Sequence, residues 1–320
     1  MSKIKKDSVC GVVVTFNRKE LLKDCLKALI EQTRPLDAIL IVDNASTDNT
    51  PQILLEMGYI QQLPPEKNSE PYKTEFMSKI KNLENESIKI IYIRMNENTG
   101  GAGGFHMGQK HAFELGYDWI WLMDDDGYPD PKALEKLMEY STLDNVSALN
   151  CLVVSNKNEE KLAFQMPYIT RDGSITKFKN SKHTKNINEL YEYFGGELYE
   201  WGNFFNGTMV RSSIISKVGN INKKMFIWGD EQDYFYRLRL KGKVYTVMSA
   251  KHYHPDDNKT NPPLWKKYYG FRNELYLNRK YRNFKYFRFV FSIVRAFPLF
   301  YKDKDGFKQY LKAIYDSFKL

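Results

Sequence analysis

Along the first part of the chain, short runs of consecutive apolar residues alternate with stretches in which apolar residues return every three or four positions. Val9–Phe16 (VCGVVVTF), Ala38–Val42 (AILIV), Ile88–Arg94 (IKIIYIR) and Trp119–Met123 (WIWLM) are rich in β-branched or aromatic residues and short, and they predict strands buried on both faces. Between the first two, Leu21, Leu22, Cys25, Leu26 and Leu29 fall at helical spacing behind a polar start at Asn17. Asn44–Pro51 reads as a turn leading into a helix, and His106–Leu115 reads as a further helix. Strands alternating with helices predict an α/β fold, with a mostly parallel central sheet flanked by helices. In such sheets ligands sit at the carboxyl ends of the strands. Polar clusters stand at those ends: Thr15–Arg18, Asp43–Asn44, Asn96–Gly104 and Asp124–Asp126.

Elsewhere the pattern is weaker. Pro64–Ile80 is polar and predicts a loop insertion, and residues 155–200 predict hairpins and loops. Val244–Met248 predicts another strand, with His252 and His254 following it. The N-terminal apolar run, Val9–Val14, is shorter than the roughly 7–15 residues of a secretory signal. No uncharged apolar run approaches the ~18 residues that mark a membrane-spanning helix.

Charge changes the picture at the C-terminal end. The chain has 320 residues and a net charge of +9, but residues 259–320 sum to +11, so the preceding 258 residues sum to −2. This splits the sequence into a body, 1–258, and a basic, aromatic, helical region, 259–320. Basic and aromatic residues interleaved in this way suit an anionic surface, and a membrane surface is the partner expected. The plain alternative is a helical appendage with solvated charges. No nucleic-acid-binding motif accompanies the basic region, so nucleic acid is not expected. Three scattered cysteines, Cys10, Cys25 and Cys151, form no disulfide framework or metal motif and suit a reducing compartment.

Three motifs carry candidate chemistry. Asp124, Asp125 and Asp126 follow a buried strand, where adjacent carboxylates repel unless a cation compensates. Hard oxygen ligands suit Mg2+ or Mn2+, ions that also bind phosphate. Strand alternation would point Asp124 and Asp126 one way and Asp125 the other. A solvated acidic turn is the alternative, since Gly127 and Pro129 follow. Asn98–Gly104 (NTGGAGG) is a glycine cluster at a strand-to-helix junction, where backbone N–H groups and a helix N-terminus favour anions. Its spacing is neither the dinucleotide fingerprint nor a Walker loop. Asp230 and Glu231 follow a Trp-Gly turn and offer either a general base or ordinary capping of the next helix.

Taken in order, VVVTFNR, ILIVDNASTDNT, NTGGAGGFHMG, WLMDDDG, WGDEQDYFYRLRLKG and AKHYHP resemble an inverting glycosyltransferase of family two with the GT-A fold, over roughly residues 8–255. NTGGAGGF and YYGFRNELYL (268–277) are similar to a bacterial branch that includes galactofuranosyltransferases and rhamnosyltransferases of cell-surface glycans. The resemblance implies that Thr15, Arg18 and Asp43 hold the nucleotide, and that Asn98, Gly100 and Gly101 lie near the donor sugar and diphosphate. It implies that Asp124 and Asp126 meet diphosphate, metal and sugar, with Asp125 beside them, and that His254, rather than His252, completes the shell of a Mn2+ or Mg2+ ion. The catalytic base matches Glu231, with Asp230 as the alternative, because the galactofuranosyl branch usually carries Asp there. Trp201 and Trp228 are candidates for stacking on the acceptor, or for core packing.

The activity implied is metal-dependent transfer of a sugar, with inversion, from a nucleotide-sugar donor to a glycan or lipid-linked acceptor. UDP-galactofuranose is the preferred donor and dTDP-rhamnose the alternative. The expected location is cytoplasmic, peripheral on the inner face of the cell membrane. A membrane- or polyanion-binding protein without catalysis is the reading from another class. Sugar-nucleotide synthesis is disfavoured, because TFNRKELL after the first strand lacks the Gly-rich loop and lysine of such enzymes.

Overall fold

The computed structural model describes residues 6–65, 74–169, 183–256, 261–301 and 304–320. The chain opens with β1 (Val9–Thr15), α1 (Lys19–Ile30), β2 (Ala38–Asp43), α2 (Thr50–Glu56), β3 (Thr74–Lys81), β4 (Ser87–Arg94), α3 (Gly100–Glu114) and β5 (Trp119–Asp124). Next come β6 (Tyr128–Pro129), α4 (Ala133–Met138), β7 (Val146–Ser155), β8 (Lys161–Pro167), β9 (His183–Asn186) and α5 (Ile187–Phe194). Then β10 (Leu198–Tyr199), β11 (Asn206–Arg211), α6 (Ser212–Val218), α7 (Asp230–Arg239) and β12 (Lys243–His254) complete the body. The C-terminal region adds α8 (Leu264–Tyr281), α9 (Lys285–Ala296) and α10 (Lys304–Asp316).

The main sheet runs β10-β12-β7-β11-β5-β1-β2-β4-β3. Its centre, β5-β1-β2-β4, is parallel throughout, as the uniformly apolar runs predict. Beyond this centre β3 pairs antiparallel with β4, and β11 runs antiparallel to both β5 and β7. The register sets Thr15 opposite Asp43, Val14 opposite Asp124, and Asp43 opposite Arg94, which brings the polar strand ends together along one edge.

Helices cover both faces. Leu22, Cys25, Leu26 and Leu29 of α1 pack with Val9, Val13, Ile39 and Ile41. On the other face Phe105 and Ala112 of α3 pack with Val12, Val14 and Leu40. Glycine lets α3 lie this close to β1: a Cβ at Gly104 would stand 2.4 Å from Val14 Cγ1, and one at Gly108 2.4 Å from Val12 Cγ1.

Several expectations change. The segment read as a loop, 64–80, contributes a strand: β3 alternates, with Phe76 and Ile80 packed on the core while Met77 faces solvent, an edge pattern too polar on average to stand out. Residues 66–73 of that segment lie outside the described residues. The stretch 155–200 contains the β8/β9 pair and also the helix α5; its residues 170–182 are not described. The helix expected from His106 begins at Gly100. The strand expected to stop at Met248 continues to His254, with a register shift between Val247 and Lys251, so both histidines sit in the strand.

The junction between residues 258 and 259 also falls outside the described residues. α8 joins the body through Tyr276 and Leu277, which pack with Ala102 and Met225. A separate cluster of Phe271, Leu275, Ala296, Phe300, Tyr310 and Ala313 holds α8, α9 and α10 together. Among the described residues no helix is long and apolar enough to cross a membrane.

Candidate active site

At the end of β5 the chain turns at once after Asp124, so strand alternation does not govern the three aspartates. Instead Asp125 and Asp126 both meet Arg18, which stands at the N-terminus of α1. Arg18 Nη1 donates to Asp125 Oδ1 at 3.0 Å and to Asp126 Oδ2 at 2.6 Å. Thr15 Oγ1 donates to Asp125 Oδ2 at 2.6 Å from the end of β1. Burial pushes the Asp125 carboxyl up to about 6, against the pull of Arg18. Burial, then the Asp126 and Asp125 charges, push Asp124 well above the carboxylate range. Burial also works to raise Asp126, but the His254 hydrogen bond and the Arg18 charge outweigh it and hold this carboxyl below its usual value.

His254 reaches the turn from the end of β12, its Nε2 3.1 Å from Asp126 Oδ1. His252, two residues earlier, is fully buried with no hydrogen-bond partner on either ring nitrogen. Burial lowers it to about 3, which leaves a neutral ring packed over Gly127. Among the described residues no three His, Cys, Asp or Glu side chains form a closed metal cage. A carboxylate and an imidazole converging within 3.1 Å still suit Mn2+ or Mg2+. Mg2+ in particular is usually held by one or two carboxylates together with substrate phosphates, not by an all-protein cage.

Asp43, at the end of β2, is fully buried and already engaged. It accepts from the Ser46 N–H at 2.7 Å, Tyr92 Oη at 2.8 Å and Arg94 Nη1 at 2.6 Å. The partly exposed group at this strand edge is therefore Arg94, which sequence reasoning missed: an arginine closing a strand reads as solvated charge. Burial works to lower the Arg94 pKa, but the Asp43 charge and the Tyr92 hydroxyl together outweigh it and raise it. Asn44, beside Asp43 in the strand-end cluster, stitches β2 to α3: its Nδ2 donates to Gly100 O at 2.9 Å and its Oδ1 accepts from Thr99 Oγ1 at 2.8 Å.

Asn98 caps the start of α3, its Oδ1 accepting from the Gly100 N–H at 2.8 Å. Gly100 has φ +71°, and a Cβ there would stand 2.1 Å from Phe226 O; a Cβ at Gly101 would meet nothing within 4 Å. The glycine cluster is thus the first turn of a helix laid against the 223–229 segment, whose Phe226 O accepts from the Ala102 N–H at 3.1 Å. That segment leads into α7 and its acidic pair. Glu231 Oε2 accepts from the Gly229 N–H at 2.8 Å. Asp230 is buried; burial and the Glu231 charge push its carboxyl well above the usual range. The Glu231 charge also acts to raise Asp124, so the pair and the aspartate turn share one electrostatic site. Of the two tryptophans, Trp201 is half-buried, with its ring 4.8 Å from Phe235. Trp228 is 42% exposed, with Lys266 Nζ 5.9 Å from its ring centre.

The profile of glycosyl transferase family 2 matches residues 10–63 and 68–200. A galactofuranosyltransferase, GlfT1 of Mycolicibacterium smegmatis, is 30% identical over 250 residues, covering 77% of this chain and 70% of that protein. Among solved structures, TarS residues 1–349 of S. aureus align over 97% of this chain and 80% of theirs, with a TM-score of 0.54 at 14% identity. A mannosyltransferase of Pyrobaculum calidifontis, solved in complex with GDP-Man and Mn2+, covers 97% of this chain and 74% of its own, with a TM-score of 0.55 at 12% identity.

Proposed function

The chain belongs to glycosyl transferase family 2, and from that premise we propose that it transfers a galactofuranosyl group from UDP-galactofuranose, with inversion, to a hydroxyl of a bacterial cell-surface glycan or lipid-linked acceptor. Its fold is of the GT-A type. The observation that carries the reading is the half-buried Glu231 carboxylate, held by the Gly229 N–H and electrostatically coupled to an aspartate turn at the end of a parallel strand. The similarity to a galactofuranosyltransferase supports the choice of donor.

In this reading the acceptor oxygen forms its bond to the anomeric carbon as the bond to the diphosphate oxygen breaks on the opposite face. Glu231 takes the acceptor proton, and the bonding pair leaves with UDP. No covalent sugar–enzyme intermediate forms. Asp126 and His254, with Asp124 on the same turn, would hold Mn2+ or Mg2+, which when bound supplies positive charge for the leaving diphosphate. Arg18 adds a cation beside the turn, and the first turn of α3, with Asn98, Gly100 and Gly101, favours the anionic donor. Thr15 steadies Asp125. Asp43 acts on the nucleotide through Arg94, which it orients. Trp228 offers a ring face to the acceptor, whereas Trp201 serves packing.

Residues 259–320 are proposed as a membrane-directed region that places the enzyme peripherally at the inner leaflet, beside lipid-linked acceptors. On α9, Phe287, Val290, Phe291 and Val294 recur at helical spacing and are all exposed, Phe287 by 72%. Lys285, Arg288, Lys308 and Lys312 of α9 and α10 supply positive charge for anionic headgroups.

The test is a donor panel incubated with Mn2+ or with EDTA, reading released nucleoside diphosphate. UDP-galactofuranose should be turned over fastest, and EDTA should abolish turnover. Faster release from dTDP-rhamnose would install the rhamnosyl reading. Undiminished turnover in EDTA would remove the metal, and no turnover or UDP binding at all would favour a non-catalytic binding protein.

A further inference from the structure

The segment that leads into α7 is built from backbone conformations that side chains resist. Phe226 and Trp228 lie at φ 66° and 60°, in the left-handed region, and Gly229 follows at φ 92°. Such residues persist only where their surroundings hold them. The holding is done from α8. Asn273 is 1% exposed, and its amide donates to Met225 O at 3.0 Å, Ile227 O at 3.1 Å and Trp228 O at 2.6 Å. Its own oxygen accepts from Arg272 Nε at 2.9 Å, and Arg272 Nη2 in turn donates to Lys224 O at 2.7 Å and Met225 O at 3.1 Å. Two adjacent side chains of one helix thus grip four carbonyls of the segment. The two surfaces also fit closely: a Cβ at Gly229 would stand 3.2 Å from Asn273 Cβ, and one at Gly270 would stand 3.0 Å from the Trp228 ring.

What the segment touches beyond α8 gives the grip its meaning. Its Phe226 carbonyl receives the Ala102 N–H of the first turn of α3, on the proposed donor side. Its Gly229 N–H holds the Glu231 carboxylate. One strained segment therefore joins the diphosphate-facing helix start to the acid pair, and a buried amide keeps it in shape. A buried asparagine whose hydrogen bonds are all met rigidifies the groups it joins, whereas left unpaired it would be costly.

We propose that Asn273, seconded by Arg272, is a positioning residue for the transfer reaction: it fixes residues 225–228 so that Glu231 stands at a set distance from the donor held at α3. The inference rests on the reading of Glu231 as the base. A misplacement of about 1 Å at a reacting group costs on the order of 10²-fold in rate.

The experiment uses the full chain with UDP-galactofuranose and Mn2+, water serving as acceptor, and reads UDP release. Asn273→Ala is expected to lower kcat by about 10²-fold while the donor KM stays within about threefold. Asn273→Asp keeps the side-chain size but replaces the amide donors with oxygen, and should lose as much or more. Trypsin adds a readout independent of turnover: Lys223 and Lys224 are exposed, and loosening the segment should speed cleavage there by about tenfold or more. Arg272→Lys keeps the charge and weakens the same grip, so it should give an intermediate loss on both readouts; it stands in if the Asn273 variants fail to fold. Wild-type kcat together with wild-type cleavage in Asn273→Ala, beside an inactive Glu231→Gln, overturns the positioning role alone. Full turnover by Glu231→Gln overturns the base assignment, and the positioning role with it. A loss confined to donor KM also overturns the proposal.

Discussion

Replacing Gly100 with alanine puts a methyl group where the fold leaves no room. The residue has φ +71°, and the added Cβ would stand 2.1 Å from Phe226 O and 2.7 Å from Phe226 C. An L residue pays about 1–2 kcal/mol for the left-handed conformation. Relieving the contact means moving backbone that is already pinned by the Ala102 N–H, and overpacking of this kind adds about 1–3 kcal/mol. The sum is about 2–5 kcal/mol. At roughly 2–4 °C per kcal/mol, the melting temperature should fall by about 4–20 °C. Gly101→Ala is the matched control: nothing lies within 4 Å of its Cβ position and the residue is helical, so alanine gains up to about 1 kcal/mol. Thermal unfolding of the two ligand-free variants by circular dichroism measures the contrast. A Gly100→Ala variant that melts within about 1 °C of the parent, or a Gly101→Ala variant that loses as much, would refute the steric reasoning.

Other expectations follow from the site. Glu231→Gln should lower kcat by about 10²–10⁴-fold, while Asp230→Asn, replacing a carboxyl whose charged form burial and Glu231 disfavour, should retain at least about a tenth of the activity; the reverse ranking in a UDP-release assay would move the base to Asp230. Asp125 binds its proton more tightly in the folded chain, at about 6, than at the ordinary 3.8, so its contribution to stability is complete below about pH 4 and is lost as pH rises through 6. Asp125→Asn should therefore gain on the parent by up to roughly 3 kcal/mol between pH 4 and 7 in urea unfolding of the metal-free protein; a pH-independent difference would contradict the shift. Serine at both Phe287 and Phe291 removes apolar contacts of about 1.5–3 kcal/mol each and should cut sedimentation with phosphatidylglycerol vesicles by more than about tenfold; unchanged sedimentation would exclude this face as the membrane contact.

The sequence revealed most where burial is simplest. β1, β2 and β5 are covered on both faces, so their residues are uniformly apolar, and the polar groups at their ends, Thr15, Asp43 and Asp124–Asp126, mark the strand ends that carry the candidate site. It revealed least where one face meets solvent or where contacts span long separations. β3 is an edge strand whose alternation is diluted by lysines and glutamate. α3 starts six residues earlier than its pattern suggests, because glycine has poor helix propensity and only the closeness of Val12 and Val14 explains its use. The register shift in β12 hid the continuity that carries His254 to Asp126. Arg94 and Asn273 look like any polar residue on a strand end or helix face; their partners lie 51 and 45 to 48 positions away in the chain, beyond local periodicity.

Arg18 gives the acidic turn a resident counter-ion. On the proposed reading, a bare divalent ion approaching Asp126 must compete with a guanidinium already 2.6 Å from that carboxylate. A donor diphosphate would offer Arg18 anionic partners in place of Asp126, leaving that carboxylate and His254 to hold Mn2+ or Mg2+. On that reading metal and sugar nucleotide would load as one package, each raising the affinity for the other.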